Sequence, residues 1–301
     1  MVFDGYKPSP KDHDHKRRAK YYSSNIILNH NTPGTVSRAR FLANSHNKTQ
    51  LISLLSDVFQ ANGVEVLIAE DDADTLIVKT AIIYGITKDV EVRVEDTDVI
   101  CLLVHHCPRT NHCLYVTTKE GTYDIKQVRE KLPSKQCEHL LLSHSFSGCD
   151  TVSNVYGFGK VKILKRLCQD NAPKEFFQTF NNLRATKEEI SEAGIKLFQY
   201  LYNNVDTPLN QLRYDKYNTL MAKGVFKPER LPPTTGAAIQ HSLRAYLQYR
   251  DWLMLESQLM NPREIGWIFT DSFEPVGSTE PIAPPTILEF ISCNCENNRC
   301  S

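Results

Sequence analysis

The chain has 301 residues, and Lys+Arg 35 balance Asp+Glu 35, so its formal net charge is zero. With 41% hydrophobic and 23% charged residues it can bury an ordinary core, which excludes a disordered chain, and Gly 13 with Pro 15 are too few for a low-complexity one. The apolar run 99–104 is far shorter than the roughly 20 residues that span a bilayer, and the first twenty residues hold bases rather than an apolar h-region, which argues against a secretory signal. In chain order, residues 49–62 carry Leu51, Ile52, Leu54, Leu55, Val58 and Phe59 at helical spacing, with Gly63 at the C′ position. Residues 64–69 read as a short buried strand, 71–84 as a helix, and 90–94 as a second strand. An acid-led apolar helix follows through 99–104. Residues 114–118 and 123–125, joined across Glu120-Gly121, predict a hairpin. Segments 127–131 and 137–145 read as helices, and 161–167 as a basic amphipathic helix behind Gly157-Phe-Gly159.

This alternation predicts an α/β fold, a largely parallel sheet with helices on both faces and ligands bound beyond the carboxyl ends of its strands. After Cys168 the pattern turns helical over 172–202, 208–223 and 237–260, with aromatic residues at three- and four-residue intervals that read as core. The expected division is an α/β domain over 1–168, a helical accessory region over 169–290, and the start of a Cys-rich segment over 291–301. Of nine cysteines, six are scattered without metal spacing and read as free thiols of a reducing, intracellular compartment. Cys293, Cys295 and Cys300 crowd together, but three thiols alone do not complete a tetrahedral zinc site; they begin a Cys-rich module or belong to a frayed tail.

The neutral total conceals local blocks. Lys7, Lys11, Lys16, Arg17, Arg18 and Lys20 face only Asp12 and Asp14, whereas Glu65, Glu70, Asp71, Asp72 and Asp74 have no base among them. Lys160, Lys162, Lys165 and Arg166 make a second basic group. Any one such run reads as a solvated face; in alternation they suggest phosphate-holding arms around a metal-holding pocket. Four acidic motifs punctuate this half: Val2-Phe-Asp4-Gly5, Ala69-Glu70-Asp-Asp72-Ala73, Glu95-Asp96-Thr-Asp98 and Gly148-Cys-Asp150. Each acid pair taken alone reads as an N-cap, Asp71 or Asp72 for one helix and Asp96 for the next. Several carboxylates converging within a few ångströms repel one another unless cations are bound. Oxygen ligands without His or Cys select Mg²⁺ or Mn²⁺, and two such ions suit phosphodiester chemistry.

Over residues 1–168 these motifs resemble, in order and spacing, the flap endonuclease and XPG-like nucleases with their PIN-like fold. Val2-Phe-Asp-Gly5 is similar to the family's VFDG strand end, 69–73 to its EAEA motif, 95–98 to its TEDMD segment, and Ser147-Gly-Cys-Asp150 to its GSD motif. The resemblance implies that Asp4, Glu70, Asp72, Asp96, Asp98 and Asp150 hold two Mg²⁺ or Mn²⁺ ions. Lys11 and Arg18, seven and fourteen residues after Asp4, would then position the scissile phosphate from a basic arch that also carries Lys16 and Arg17. Gly157, Gly159, Lys160 and Lys162 resemble the glycine turn and basic helix that grip duplex backbone, where amide groups bind phosphate whatever the base sequence. The family begins with a further strand ending in Asp, whereas this chain starts three residues before Asp4, and Asp72 stands where the family has Glu; truncation at both ends is expected. The second half does not match repair nucleases and resembles, more loosely, nuclease-like proteins spread by mobile elements.

The implied function is a divalent-metal-dependent, structure-specific 5′ nuclease acting on branched or tailed DNA, with RNA as a second substrate class and nuclear localisation. The alternative is an inactive nuclease-fold scaffold that binds nucleic acid or protein. His13 and His15 read as parts of an exposed hydrophilic arch, and His105-His106 as cations favoured at a helix C-terminus. Ser143-His144-Ser145 makes no hydrolase triad, since no nucleophile elbow accompanies it.

Overall fold

Val2 and Phe3 open the chain as β1 (Val2–Phe3), and Ser9, whose amide donates to Asp12 Oδ2, begins the turn into α1 (Lys11–Arg18). The computed structural model describes residues 1–5, 7–18, 24–29, 31–33, 37–42, 44–224, 227–256, 260–278 and 280–281, and for residues 15–18 and 39 only the backbone. Cys293, Cys295 and Cys300 lie outside the described residues. After α2 (Arg38–Leu42), Asn44 caps α3 (Ser45–Ala61), which Gly63 ends at φ +75° as its position predicted. β2 (Leu67–Ile68) is shorter than the expected strand 64–69. Val64 is spent on leaving α3, its amide donating back to Phe59. β2 runs parallel to β1, with Val2 opposite Leu67 and Phe3 opposite Ile68.

α4 (Asp74–Gly85) leads to β3 (Val90–Arg93), α5 (Thr97–His106), β4 (Leu114–Thr118) and β5 (Gly121–Asp124). β3 and β4 are parallel; β4 and β5 form the expected hairpin around Gly121, at φ +148°. The fold is mixed α/β, but among the described residues no broad parallel sheet is formed. The described strands divide into β1–β2, β3–β4–β5 and a third pair near the C-terminus, and β1 and β3 each have one hydrogen-bonded neighbour. Helices carry most of the packing. α6 (Ile125–Lys131) is capped by Asp124, and α7 (Ser134–Ser147) runs through the centre. Leu141, Leu142 and Phe146 are buried there, and so are Ser143, Ser145 and Ser147, whose hydroxyls donate to carbonyls of the preceding turn.

α8 (Lys160–Leu167) and α9 (Lys174–Asn181) precede α10 (Lys187–Leu201). The single helix expected over 172–202 is broken because Thr186 and Glu189 form a capping box that starts a new one. α11 (Leu209–Ala222) and a turn of 3₁₀ helix at 228–230 lead to α12 (Thr235–Met254), which Leu255 ends in the left-handed region. Gly194 lets α10 approach α12 closely, since a Cβ there would lie 1.8 Å from Ser242 Oγ. β6 (Trp267–Phe269) and β7 (Phe273–Pro275), absent from the expected elements, close the described chain as an antiparallel pair.

The aromatic residues of the second half are core, as their spacing predicted. Phe146 meets Phe176, Phe198 and His241 at ring-centroid distances of 5.4, 5.1 and 4.7 Å. One hydrophobic cluster runs from Val78 to Phe273 across residue 168, so the helices beyond it are walls of the same core. The six described cysteines are free thiols. Among the described residues no helix is long and apolar enough to cross a membrane.

His105 and His106 are not the cations expected at the end of α5. Burial lowers both, His105 to about 4, and each faces a backbone carbonyl, of Cys137 and Trp252 respectively. Desolvation outweighs the helix-end field here.

Candidate functional site

The acids sit where the strands end. Asp4 follows β1, Glu70 to Asp74 follow β2, and Asp96 and Asp98 follow β3, each group leading toward a helix. Gly5 makes the first junction possible: its amide donates to Asp71 O at 2.5 Å, and a Cβ would lie 2.1 Å from Ala69 O. Asp4 Oδ1 accepts from the Ala73 amide at 3.2 Å, at the start of α4, and Oδ2 is 2.5 Å from Lys48 Nζ. Glu70 turns outward, 80% exposed and 3.1 Å from Lys7 Nζ.

Lys11 departs most from expectation. Instead of standing on an exposed arch it is buried, with Nζ 2.7 Å from Asp72 Oδ2 and 2.5 Å from Asp74 Oδ2. Burial works against its charge, but the two carboxylates more than offset that and raise its pKa well above the usual lysine range. Burial raises Asp74 to about 7, with Asp72 and Asp96 adding to the rise and Lys11 opposing it. Asp74 lies within the same acidic run but outside the motif 69–73, so no motif marks it. Arg18, Lys16 and Arg17 have helical backbone in α1, and their side chains lie outside the described residues. His13, expected to be exposed, is half-buried with its ring edge against Trp267, 6.3 Å between centroids.

Asp96 caps α5, accepting from the Asp98 amide at 2.8 Å. Burial raises its pKa, and the charges of Asp98 and Asp150 add to the rise. Asp98 is itself buried and 2.6 Å from His144 Nε2. Burial would raise Asp98, but the His144 hydrogen bond and charge hold it below the usual carboxylate range. Burial in turn works against a charged His144, yet Asp98 carries it to about 9. Cys101 Sγ lies 3.8 Å from the His144 ring, and Lys160 Nζ sits 3.0 Å from both its nitrogens while donating to Gly148 O. His144 therefore orients Asp98, a role that the triad test applied to Ser143-His144-Ser145 does not reveal.

Gly148, at φ +114°, turns the chain out of α7 into Cys149 and Asp150. Gly157, at φ +77°, and Gly159, the N-cap of α8, are exposed as a turn. Lys162 folds back on that turn, donating to Gly157 O at 2.8 Å and lying over the Phe158 ring.

Asp96, Asp98 and Asp150 line one cleft of about 650 Å³ together with Lys160, Arg244 and Trp267. Asp4 and Asp72 line another of about 630 Å³, together with Lys11 and Lys48. Glu70 lines neither. Five of the six expected acids thus line two clefts and Glu70 lies outside both, while a narrower pocket lined by Lys11, Asp72, Arg244 and Trp267 shares residues with each cleft. Among the described residues no group of three or more His, Cys, Asp or Glu side chains is arranged to hold a metal ion. In donor type and charge, Asp96, Asp98 and Asp150 nevertheless suit a hard cation: they offer oxygen alone, and Asp96 already carries the repulsion of its neighbours. Arg244 and Trp267 come from the helical half, and no motif in the sequence marks them. Compared with models of protein families, with curated proteins and with solved structures, the chain finds no match.

Proposed function

We propose that the cleft formed by Asp96, Asp98 and Asp150 binds a divalent cation, Mg²⁺ or Mn²⁺, and a phosphodiester, and that the protein is a nuclease of the PIN-like class acting on branched or tailed DNA. The observation that carries this reading is the convergence of Asp96, Asp98 and Asp150 on one cleft that also holds Lys160 and Arg244. Carboxylates held in this way are relieved by a cation, while the basic side chains suit a phosphate. Asp96 and Asp150 would hold the ion, with Asp98 fixed in place by His144. A divalent ion bound there supplies positive charge opposite the oxygens of the phosphoryl group. The chain's own residues do the rest: Lys160 and Arg244 attract and orient the phosphate, and the α5 N-terminus keeps Asp96 in register.

A second reading, a scaffold without catalysis, rests on Lys11. Its ammonium already lies against both Asp72 and Asp74 and offsets one of their two charges, so that part of the acid cluster has less need of an ion. Incubating splayed and flapped DNA, single-stranded DNA and single-stranded RNA with Mg²⁺ or Mn²⁺ separates the readings. Cleavage abolished both by EDTA and by Asp96→Asn with Asp150→Asn supports the nuclease. Cleavage that survives that pair, or salt-sensitive binding with no cleavage under either metal, removes it. Discrimination between the DNA and RNA strands in the same tube decides the substrate class.

A further inference from the structure

Besides the acids, the cleft is lined by two residues of the C-terminal half, Arg244 and Trp267, whose described hydrogen bonds leave donor groups unused. Arg244, in α12, spends its described hydrogen bonds from one nitrogen only: Nη1 donates to Gly266 O and Val276 O, both at 3.4 Å, a long contact. Among the described residues no carboxylate stands within ion-pair distance of it. Burial without a counter-charge lowers its guanidinium to about 10. Beside it Trp267 is 2% exposed, and its indole Nε1–H finds no acceptor among the described residues. The guanidinium lies over the Trp267 ring at 5.9 Å, and both residues line the same cleft as Asp96, Asp98 and Asp150. Trp267 is buried and Arg244 half-buried, and donors withdrawn from water are normally satisfied. A planar fork and a neighbouring N–H that share this shortfall, on the wall of a cleft, fit a ligand rich in acceptor oxygens and negatively charged.

We propose that Arg244 and Trp267 form the phosphate-binding wall of this cleft, Arg244 engaging non-bridging oxygens of a nucleic-acid phosphate and Trp267 donating its indole N–H to the same group. This rests on the nuclease reading for the identity of the ligand, not for the anion chemistry. Gly266 is part of the arrangement. It sits at φ +80°, and a Cβ there would lie 2.8 Å from Arg244 Cγ, so the β6 strand can lie directly beneath the arginine stem. Lys160 donates to Gly148 O. Arg244 is therefore the base of this cleft with the most donors left to offer.

The test uses the full chain and a fluorescein-labelled single-stranded oligonucleotide, titrated by anisotropy between 50 and 300 mM salt in EDTA (about a sixfold range), so that cleavage cannot intervene. A second arm measures inorganic phosphate by calorimetry, and thermal melts accompany every variant. Arg244→Gln is expected to weaken oligonucleotide binding on the order of tenfold or more, and to lower the slope of log K against log salt by about 0.7, the contribution of one phosphate contact on a single strand. Arg244→Lys, which keeps the charge and loses the fork, is expected to restore the slope but not the full affinity. Trp267→Phe is expected to weaken binding with the slope unchanged, since it removes a neutral donor. A properly melting Arg244→Gln protein with wild-type affinity and slope overturns the inference. Wild-type protein that binds phosphate but no oligonucleotide, with Arg244→Gln abolishing the phosphate heat, leaves the anion wall standing and overturns the nucleic-acid ligand. Wild-type protein that binds neither overturns both.

Discussion

Replacing Lys11 by Met tests the charge balance on which the acid cluster depends. Lys11 is 10% exposed, and its partners Asp72 and Asp74 are 22% and 12% exposed. Met keeps most of the length of the side chain and removes only the ammonium. Two carboxylates then face each other in a poorly solvated place without their counter-charge. Breaking a buried pair by removing one partner costs about 3–5 kcal/mol, and the openness of Asp72 puts this pair near the lower end. For a chain of this size about 1 kcal/mol corresponds to about 2 °C, so the melting temperature should fall by about 6 °C. Melts followed by circular dichroism at pH 8 measure it. The same melts in 10 mM Mg²⁺ or Ca²⁺, about 100 times an assumed dissociation constant, add the decisive part. An ion entering the vacated place should return about 2.7 kcal/mol by mass action, most of the loss, and should stabilise the variant more than the wild type. A variant that melts within 1 °C of the wild type in the absence of the ion would refute the view that Lys11 is the cluster's counter-charge.

Two further outcomes follow from the same physics. His241 is buried, donating from Nε2 to Phe146 O at 2.9 Å while Nδ1 accepts from Ser153, and burial lowers it from 6.5 to about 4. Between those values the unfolded chain binds a proton that the folded chain does not, so the stability that this neutral histidine contributes above pH 6.5 is lost as pH falls through 4. The loss is about 3 kcal/mol. Urea unfolding at pH 7, 5.5 and 4.5 should show it, and His241→Gln should flatten the decline; equal declines in both proteins would sink the assignment. Gly5→Ala should prevent stable folding, because its Cβ would meet the backbone oxygens of Ala69 and Glu70 at 2.1 and 2.2 Å, and backbone cannot move aside as a side-chain tip can. A soluble Gly5→Ala protein melting like the wild type would contradict the parallel register of Val2 with Leu67.

What could be read in advance divides along the range of the interactions involved. Local rules worked. Gly63 ended its helix, Asp96 capped α5, the hairpin formed around Gly121, and the aromatic periodicity of the second half marked core. The capping box of Thr186 and Glu189 is equally local, but the apolar periodicity of 172–202 runs straight through it and masked the break. Placing acids at strand ends was also legible, because strand and helix punctuation determine it. Where each carboxylate then points was not. Lys11 meets Asp72 and Asp74 across 61 and 63 residues, and Asp98 meets His144 across 46. Such pairs are selected by tertiary packing, which spacing in the chain does not encode. The same holds for Arg244, which reaches the cleft because α12 packs against α7, and for Trp267 in β6; no neighbour in sequence marks either.

The division of the acids narrows where cation chemistry can take place. Asp4 has Lys48, Glu70 has Lys7, Asp72 and Asp74 have Lys11, and Asp98 has His144. An ion approaching any of these must displace a cation already held at hydrogen-bond distance, and its net gain is reduced by the attraction it replaces. Asp96 is different. Its described hydrogen-bond partner is a neutral amide; burial and the charges of Asp98 and Asp150 push its carboxyl upward, with that amide and the charge of Lys11 acting the other way. Added positive charge there relieves repulsion instead of competing for it. The cleft of Asp96, Asp98 and Asp150 is lined from both halves of the chain, with Arg244 and Trp267 coming from the second. A boundary drawn at residue 168 would cut that cleft in two.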